Sequence, residues 1–267
     1  MTIYHYTSIQ TLALILRYKT FRFNRLDQVD DIEESAYGSG PTDSNLSQYC
    51  YVSCWTKSAE ENLALWNMYT RYKGVRIGLD EMPFVTYQIN ANFKSFFNKM
   101  IGIESDYFYS YITNEAKLYD INYEDNPELK IRELIRLSHK GGLLVSTPYI
   151  GLYKRKEWAI QQESRFKVLL HPVDLLSVAR NIDLQQGNAL DCFMALFENI
   201  GASLAQSKPI KKSFIDLPLM PEKLDNIEIM MGPLTTEADR IIVESLLSPY
   251  PKALIKNSAF YGKLRDR

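Results

Sequence analysis

The stretch Tyr4-His5-Tyr6-Thr7-Ser8 decides the predicted fold, because a strand pattern gives way there to a helix pattern. Apolar residues at positions 9, 12, 13 and 16 follow with the spacing of one helix face. Thr7 or Ser8 is a suitable N-cap, so backbone N–H groups and short hydroxyls are expected beside the His5 imidazole. This arrangement suits a polar ligand, although a strand histidine hydrogen-bonded into the core fits the local sequence as well.

Length and composition predict one domain over residues 1–267. The 267-residue chain contains no Gly/Ser-rich or Pro-rich linker, no block of like charge and no internal repeat, and 46% hydrophobic residues supply a sizeable core. The formal net charge of −1 gives no general attraction to nucleic acid or anionic lipid. Because no apolar run is long enough to span a bilayer and no signal-peptide pattern occurs, we expect a cytoplasmic protein without a membrane partner.

Cysteines and basic runs favour structural roles. Cys50 and Cys54 share strand parity with Val52 and are interpreted as buried small side chains. With three cysteines and three histidines, the chain lacks the paired ligands of a Cys/His zinc site and the framework of a disulfide scaffold. Basic runs at 154–156 and 208–212 are interpreted as solvated loops rather than as a nucleic-acid surface.

The order of strand and helix patterns favours the α+β class. Strands are predicted at 21–24, 49–55, 75–79, 163–170, 214–217, 227–231 and 253–255. Helices are predicted after a capping box at 58–61, after Asn126-Pro127, along the apolar stripe at 190–204 and from Thr236. Segment 81–142, rich in Phe, Tyr and Asn, is predicted to be a mostly helical insertion. Without a regular βαβ rhythm or a glycine-rich nucleotide motif, a doubly wound fold is not expected.

The strand predicted at 163–170 presents a charged face and an apolar face. Glu163, Arg165 and Lys167 point one way, while Phe166 and Val168 point the other. A glutamate on a strand that packs against the core has the rigid position that a catalytic carboxylate needs. The alternative is a solvated strand face whose Glu–Arg pair contributes little stability.

An acidic turn supplies a second possible site. Asp27, Asp30, Asp31 and Glu33 are hard oxygen ligands of the kind that Mg²⁺ prefers, but such clusters also cap turns and helix starts. Both interpretations are compatible with the sequence.

Short motifs spread over almost the whole chain resemble one bacterial family. They are Tyr-His-Tyr-Thr-Ser at 4–8, the acidic turn at 30–33, Ser-Cys-Trp at 53–55, Trp-x-x-Tyr at 66–69 before Lys-Gly-Val at 73–75, Lys-Glu-Trp at 156–158 before Glu-x-Arg at 163–165, and Lys-Asn-Ser at 256–258. This combination is similar to the bacterial domain of unknown function two-nine-seven-one. The turn departs from the family's commoner Asn-Asp-Pro, because it reads Asp-Asp-Ile here.

The family name implies no activity, but the chain order of His, an aromatic residue and Glu resembles the His-Tyr-Glu type of ADP-ribosyltransferase. That group includes DNA-modifying bacterial toxins that open with Tyr-His-x-Thr. The resemblance implies a split two-sheet sandwich with helical insertions, in which NAD⁺ lies as co-substrate in the cleft between the sheets and no metal is needed. It also implies a role in toxin action or phage defence and a macromolecular acceptor, either protein or nucleic acid.

Carried over residue by residue, the resemblance implies that His5 hydrogen-bonds a ribose hydroxyl and that Thr7 seats the nicotinamide end. Tyr69, or alternatively Trp66, would stack on nicotinamide. Glu163 would hold the ribose 2′-hydroxyl and stabilise the positive charge that develops on the sugar, as carboxylates do in other glycosyl transfers. The predicted NAD-binding residues are His5, Tyr6, Thr7, Trp66, Tyr69 and Arg165.

Three functions are therefore compatible with the sequence. The first is an NAD⁺-consuming enzyme that transfers ADP-ribose or hydrolyses NAD⁺. The second is a non-catalytic module of the same fold that senses a nucleotide. The third is a metal-dependent phosphodiesterase that uses the acidic segment at 27–33.

Overall fold

The computed structural model describes residues 1–35, 45–98, 108–109, 113–137, 139, 143–173 and 189–265. The strands are β1 (Thr2–Thr7), β2 (Thr20–Arg25), β3 (Cys50–Thr56), β4 (Val75–Asp80), β5 (Tyr87–Asn90), β6 (Phe93–Ser95), β7 (Phe108–Tyr109), β8 (Tyr119–Asp120), β9 (Asn122–Glu124), β10 (Ile135–Leu137), β11 (Leu143–Val145), β12 (Tyr153–Arg155), β13 (Glu163–His171), β14 (Phe214–Pro218), β15 (Glu228–Met231) and β16 (Leu254–Asn257). The α-helices are α1 (Ile9–Tyr18), α2 (Leu63–Thr70), α3 (Pro127–Glu133), α4 (Ala189–Ala205), α5 (Pro221–Leu224) and α6 (Glu237–Leu247). Short 3₁₀ helices occur at Leu26–Gln28, Ile32–Ser35, Leu46–Tyr49, Thr147–Tyr149 and Lys156–Gln161.

A mixed sheet of ten strands organises the molecule. Its main path runs in the order β14, β2, β3, β1, β4, β15 and β16, and β13 joins at β3 and also pairs with β7 and β8. Most pairs are antiparallel, whereas β15 and β16 run parallel. The predicted combination of strands and helices is confirmed at this level of a mixed sheet with several helices.

The sheet forks at β3. On one edge, β13 pairs with β3 along the whole length of β3, from Cys50 to Thr56. On the other edge, β2 pairs with Tyr51 and Val52, whereas β1 pairs only with Thr56. Residues 53–55 therefore lie where β1 and β2 separate, and a cleft opens beside them.

Helix α1 connects the two strands of the fork. Ser8 caps it, because its side chain accepts a hydrogen bond from the Thr11 N–H at 3.0 Å, as the strand-to-helix pattern predicts. Ile9, Leu12, Ile15 and Leu16 form the buried face. The helix ends at Lys19, whose left-handed backbone (φ 53°) turns the chain directly into β2.

Several predicted elements are confirmed. Asn126 precedes Pro127 at the start of α3, and Thr236 forms a capping box with Asp239 at the start of α6. The helix predicted after 58–61 begins later, because Asn62 is its N-cap and accepts hydrogen bonds from the N–H groups of the first turn. In the part of the chain that the structure describes, no helix is long and apolar enough to cross a membrane.

The prediction that segment 81–142 is mostly helical is wrong for its described residues. These contain strands β5 to β10 and one seven-residue helix, α3. Its aromatic residues serve tertiary packing instead: Phe84 and Phe96 meet Phe23 and Phe166 edge to face in the core. Residues 99–107, 110–112, 138 and 140–142 of the segment lie outside the described residues.

The charged face of β13 is covered rather than solvated. Glu163, Arg165 and Lys167 are all buried, as is the opposite face of the strand. The Lys167 ammonium donates to the backbone carbonyls of Thr147 at 2.9 Å and Pro148 at 2.6 Å. The alternative of a solvated strand face is therefore wrong, because the chain before β12 folds back over these side chains.

Candidate functional site

The candidate site is the fork cleft, which we define as the space bounded by β1, β2, β3, α2 and the start of β13. Its cavity has a volume of about 250 Å³. The side chains that face it include His5, Thr7, Asn24, Cys54, Tyr69 and Glu163. Residues far apart in the sequence therefore meet where the sheet divides.

His5 of β1 makes a side-chain contact with β3 at the fork. Its Nδ1 lies 2.8 Å from the carbonyl oxygen of Cys54, an oxygen at the point where neither β1 nor β2 pairs with β3. The ring also packs edge to face against Phe21, with centroids 4.8 Å apart. Burial outweighs this hydrogen bond and lowers the pKa of His5 to about 4.

The tautomer of His5 follows from this contact. A carbonyl oxygen only accepts, so Nδ1 must carry the proton and donate it to Cys54. At neutral pH the ring is uncharged, and Nε2 keeps its lone pair. His5 can therefore accept a hydrogen bond from a ligand hydroxyl while its other nitrogen is held by the fold.

Thr7 lines the cleft, whereas Tyr6 turns partly toward the interior. Thr7 faces the fork cleft and also an adjoining cavity of about 750 Å³ that runs along α1 past Arg22. Tyr6 is buried, and its hydroxyl accepts from the Asn62 N–H at 3.1 Å, which ties β1 to the start of α2. The cleft thus continues along the face of α1 that carries Thr11, Leu14, Ile15 and Tyr18.

Glu163 belongs to a buried cluster of two carboxylates and two cations. The Lys154 ammonium lies 3.1 Å from Glu163 Oε2 and 2.9 Å from Glu34 Oε1. The Arg165 guanidinium bonds the other oxygen of Glu163 with Nε and the other oxygen of Glu34 with Nη1. The four charges balance, which makes their burial tolerable and fixes the Glu163 carboxylate from two sides.

This cluster keeps Glu163 ionised. Burial alone would raise the pKa of Glu163, but the charges of Arg165 and Lys154 outweigh burial and, with hydrogen bonds from Arg165 and the Cys54 thiol, lower the pKa to about 2. The Cys54 thiol stays protonated, because burial and then the charge of Glu163 raise its pKa. Glu163 therefore presents a negative charge to the cleft at any physiological pH.

Tyr69 and Trp66, the two candidates for an aromatic contact, have different environments. Tyr69 is 41% exposed and faces the cleft, where its hydroxyl accepts from Gln161 Nε2 at 3.3 Å. Trp66 is 0% exposed, packs edge to face on Tyr6 and donates from Nε1 to Glu61 at 2.9 Å. Only Tyr69 has a ring face that a ligand in the fork cleft can reach.

Most of the acidic turn is engaged by neighbouring groups. Asp27 accepts from Arg25 Nε at 2.7 Å, and Glu33 pairs with Arg155. Asp31 accepts from the Glu33 N–H at 3.0 Å, while Asp30 faces the fork cleft. Among the described residues, no three His, Cys, Asp or Glu side chains are close enough to hold a metal ion.

Three residues of the site were not identified from the sequence. The strand pattern predicts a small core side chain at Cys54, yet the Cys54 thiol donates to Glu163. Lys154 was assigned to a solvated loop, yet it is 4% exposed and also donates to Gln161 at 2.6 Å. Glu34 follows the acidic turn and reaches the cluster only through the tertiary fold, so no local signal marks it.

Of the predicted site residues, the fork cleft gathers all but one. His5, Tyr6, Thr7, Tyr69, Glu163 and Arg165 face it, whereas Trp66 does not. The guanidinium of Arg165 is already engaged, because it bonds Glu163, Glu34 and the Gly151 carbonyl, the last at 3.0 Å. No protein-family model, curated protein or solved structure matches this chain.

Proposed function

We propose that the fork cleft binds NAD⁺ and that the protein is an ADP-ribosyltransferase or NAD glycohydrolase. The observation that carries this proposal is that His5 of β1, Tyr69 of α2 and Glu163 of β13 face one cavity. These residues supply a hydroxyl acceptor, an aromatic face and a fixed carboxylate, which are the groups that cleavage of a nicotinamide–ribose bond requires.

The fork in the sheet supports the fold part of the proposal. In the split two-sheet sandwich of ADP-ribosyltransferases, NAD⁺ lies where the sheets part. Here β4, β15 and β16 follow β1 on one side of the fork, while β14 follows β2 on the other. We therefore propose that the ten-stranded sheet is a form of that sandwich, and that the motif resemblance to the domain of unknown function two-nine-seven-one reflects membership of that family.

The proposed reaction breaks the bond between ribose C1′ and the nicotinamide nitrogen. The bonding electron pair leaves with nicotinamide and neutralises its ring, so positive charge develops on the ribose. Glu163, ionised by Lys154 and Arg165, stabilises that charge and accepts a hydrogen bond from the 2′-hydroxyl. Water or an acceptor nucleophile then bonds to C1′ and releases its proton to solvent.

The remaining contacts orient the co-substrate. The Nε2 atom of neutral His5 accepts a hydrogen bond from a ribose hydroxyl. Tyr69 stacks on the nicotinamide ring, and Thr7 contacts the amide group of nicotinamide. The adjoining 750 Å³ cavity beside α1 leaves room for the rest of the dinucleotide. Its pyrophosphate would lie near Thr11 and Arg22.

The proposal is tested by measuring NAD⁺ binding by calorimetry and nicotinamide release by chromatography for wild type and Glu163→Gln. The variant should lose turnover by about two orders of magnitude or more and keep NAD⁺ affinity, because Glu163 acts mainly on the charged transition state. Since this substitution leaves the cluster with an excess cation, the charge-balanced double variant Glu163→Gln/Lys154→Met is measured beside it.

Glu33→Gln is the matched control, because it also replaces a paired glutamate by glutamine. Glu33 pairs with Arg155 outside the cleft. It should turn over NAD⁺ as wild type does. Binding of NAD⁺ with no turnover in wild type would indicate the sensing module instead. No binding at millimolar NAD⁺ would overturn the proposal. A Mg²⁺- or Mn²⁺-dependent phosphodiesterase activity that is lost in Glu33→Gln would then favour the metal-dependent alternative.

A further inference from the structure

A second surface feature lies just beyond α2. A groove with a volume of about 1060 Å³ forms between the turn after α2 and the C-terminal segment. Four cationic side chains face it, Arg71, Lys73, Lys263 and Arg265, and all four residues are exposed. We call this feature the basic groove.

The charge of the basic groove is one-sided. No acidic side chain is among the described residues that line it. Arg71, Lys263 and Arg265 form no ion pair with any acidic residue that the structure describes. By contrast, Lys154, Arg155 and Arg165 each pair with a glutamate. In a chain whose formal net charge is −1, the clustered cations Arg71, Lys263 and Arg265 repel one another and favour an anionic partner.

The floor of the groove is apolar and aromatic. Tyr72, Leu234 and Leu264 are half-buried between the cationic side chains, and Asn67 adds an amide. Arg71 and Tyr72 both have left-handed backbones, with φ of 47° and 67°, and the Leu234 N–H donates to the Tyr72 carbonyl at 2.9 Å. The Tyr72 side chain also packs against the buried cluster of Tyr6, Leu65, Trp66 and Met230, so the fold fixes the position of the ring in the groove.

From this arrangement we infer that the basic groove binds single-stranded nucleic acid. Cations that follow a phosphate backbone, combined with an aromatic side chain on which a base stacks, are the common design of single-strand binding surfaces. This inference stands whether or not the fork cleft consumes NAD⁺, because the two surfaces use different side chains.

Fluorescence anisotropy of labelled single-stranded DNA and RNA of about 12 nucleotides tests the inference. With three or four phosphate contacts, raising salt from about 50 mM to about 200 mM should weaken binding by about 20- to 50-fold. The variant Arg71→Asn/Lys263→Gln should bind at least about tenfold more weakly and show a shallower salt dependence. Asn at position 71 removes the charge and tolerates the left-handed backbone.

Lys208→Gln/Lys252→Gln is the matched control, because both lysines are exposed and neither lines the groove. It should bind as wild type does. No oligonucleotide binding by wild type, equal binding by both double variants, or tighter binding of the duplex would each overturn the inference. Displacement of the strand by inorganic tripolyphosphate at equal phosphate concentration would also overturn it, because that result indicates a simple anion site.

Discussion

The Lys154 ammonium donates to Glu163 Oε2 at 3.1 Å in a site where the two side chains are only 4% and 6% exposed. The same ammonium meets Glu34 and lies 4.8 Å from the centroid of the Trp158 ring. Burial alone would lower the pKa of Lys154, but the charges of Glu163 and Glu34 outweigh burial and raise it. Lys154 thus holds the candidate catalytic carboxylate in place.

Lys154→Met should therefore lower the free energy of unfolding by about 3–5 kcal/mol, because two buried carboxylates would be left with one cation. Urea denaturation measures this loss. Lys156→Met is the matched control two residues later, since Lys156 pairs with Asp125 on the exposed surface and its loss should be barely measurable. The double variant Lys154→Met/Glu163→Gln should recover part of the stability, and equal losses for the two lysines would contradict this account.

Half-buried His5 and buried His171 predict a loss of stability in mild acid. Burial lowers the pKa of both His5 and His171 to about 4. Between about pH 6.5 and pH 4 the unfolded chain binds protons that the folded chain does not, so the free energy of unfolding falls as pH falls. The contribution is fully present above about pH 6.5.

Urea titrations at about pH 7 and about pH 5.5 isolate this effect, because most carboxylates remain ionised over that interval. His171→Asn and His5→Asn should each reduce the difference in unfolding free energy between the two pH values, whatever their effect on stability at pH 7. A difference that is unchanged in both variants would show that neither histidine is held neutral by the fold.

Gly74 packs directly against Thr7 of β1, the strand that carries several predicted ligand contacts. A Cβ at this position would collide with the Thr7 carbonyl oxygen and lie 2.8 Å from Thr70 Cβ. Because a backbone oxygen cannot move cheaply, Gly74→Ala should cost about 1–3 kcal/mol and displace Thr7. Gly78→Ala is the control, since its closest contacts, at 3.2 Å, are side-chain atoms of Glu228 and Tyr4.

Thermal unfolding and NAD⁺ calorimetry measure both consequences. Gly74→Ala should lower the melting temperature and weaken NAD⁺ binding, whereas Gly78→Ala should leave NAD⁺ binding unchanged. If the two variants bind NAD⁺ equally well, Thr7 has no part in the binding site.

Local patterns in the sequence predicted the elements that local physics determines. The change from strand to helix at Ser8 and the helix start at Thr236 depend on neighbouring residues, and both match the structure. Glu163 and Arg165 share a face of β13 because side chains alternate along a strand, so their proximity was also predictable.

The rest of the site depends on contacts between distant segments. Nothing near Lys154 in the sequence indicates that it is buried, because its partner Glu34 comes from a distant segment, just after the acidic turn. The separation of β1 from β2 depends on how both strands pair with β3. The residue pattern within one strand does not indicate how that strand pairs with its neighbours. Segment 81–142 was mispredicted for the same reason, since its aromatic residues pack against other strands rather than along one helix.

Helix α2 carries two aromatic residues with different predicted roles: Trp66 stabilises the fold, and Tyr69 contacts the ligand. Trp66→Phe should lower stability, because it leaves space in a fully buried cluster and removes the hydrogen bond to Glu61, but it should keep NAD⁺ affinity. Tyr69→Leu should change stability little and weaken NAD⁺ binding by about fivefold or more, because a stacking face is lost at a half-exposed position.

Calorimetry with NAD⁺ and urea denaturation of both variants make this comparison. Tyr149→Leu is the control for Tyr69→Leu, since Tyr149 is 51% exposed and does not line the fork cleft. Weaker NAD⁺ binding in Trp66→Phe with unchanged binding in Tyr69→Leu would reverse the assignment. Trp66 would then have to reach the ligand through a rearrangement of α2, because its ring is enclosed by Tyr6 and Leu65 in the present packing.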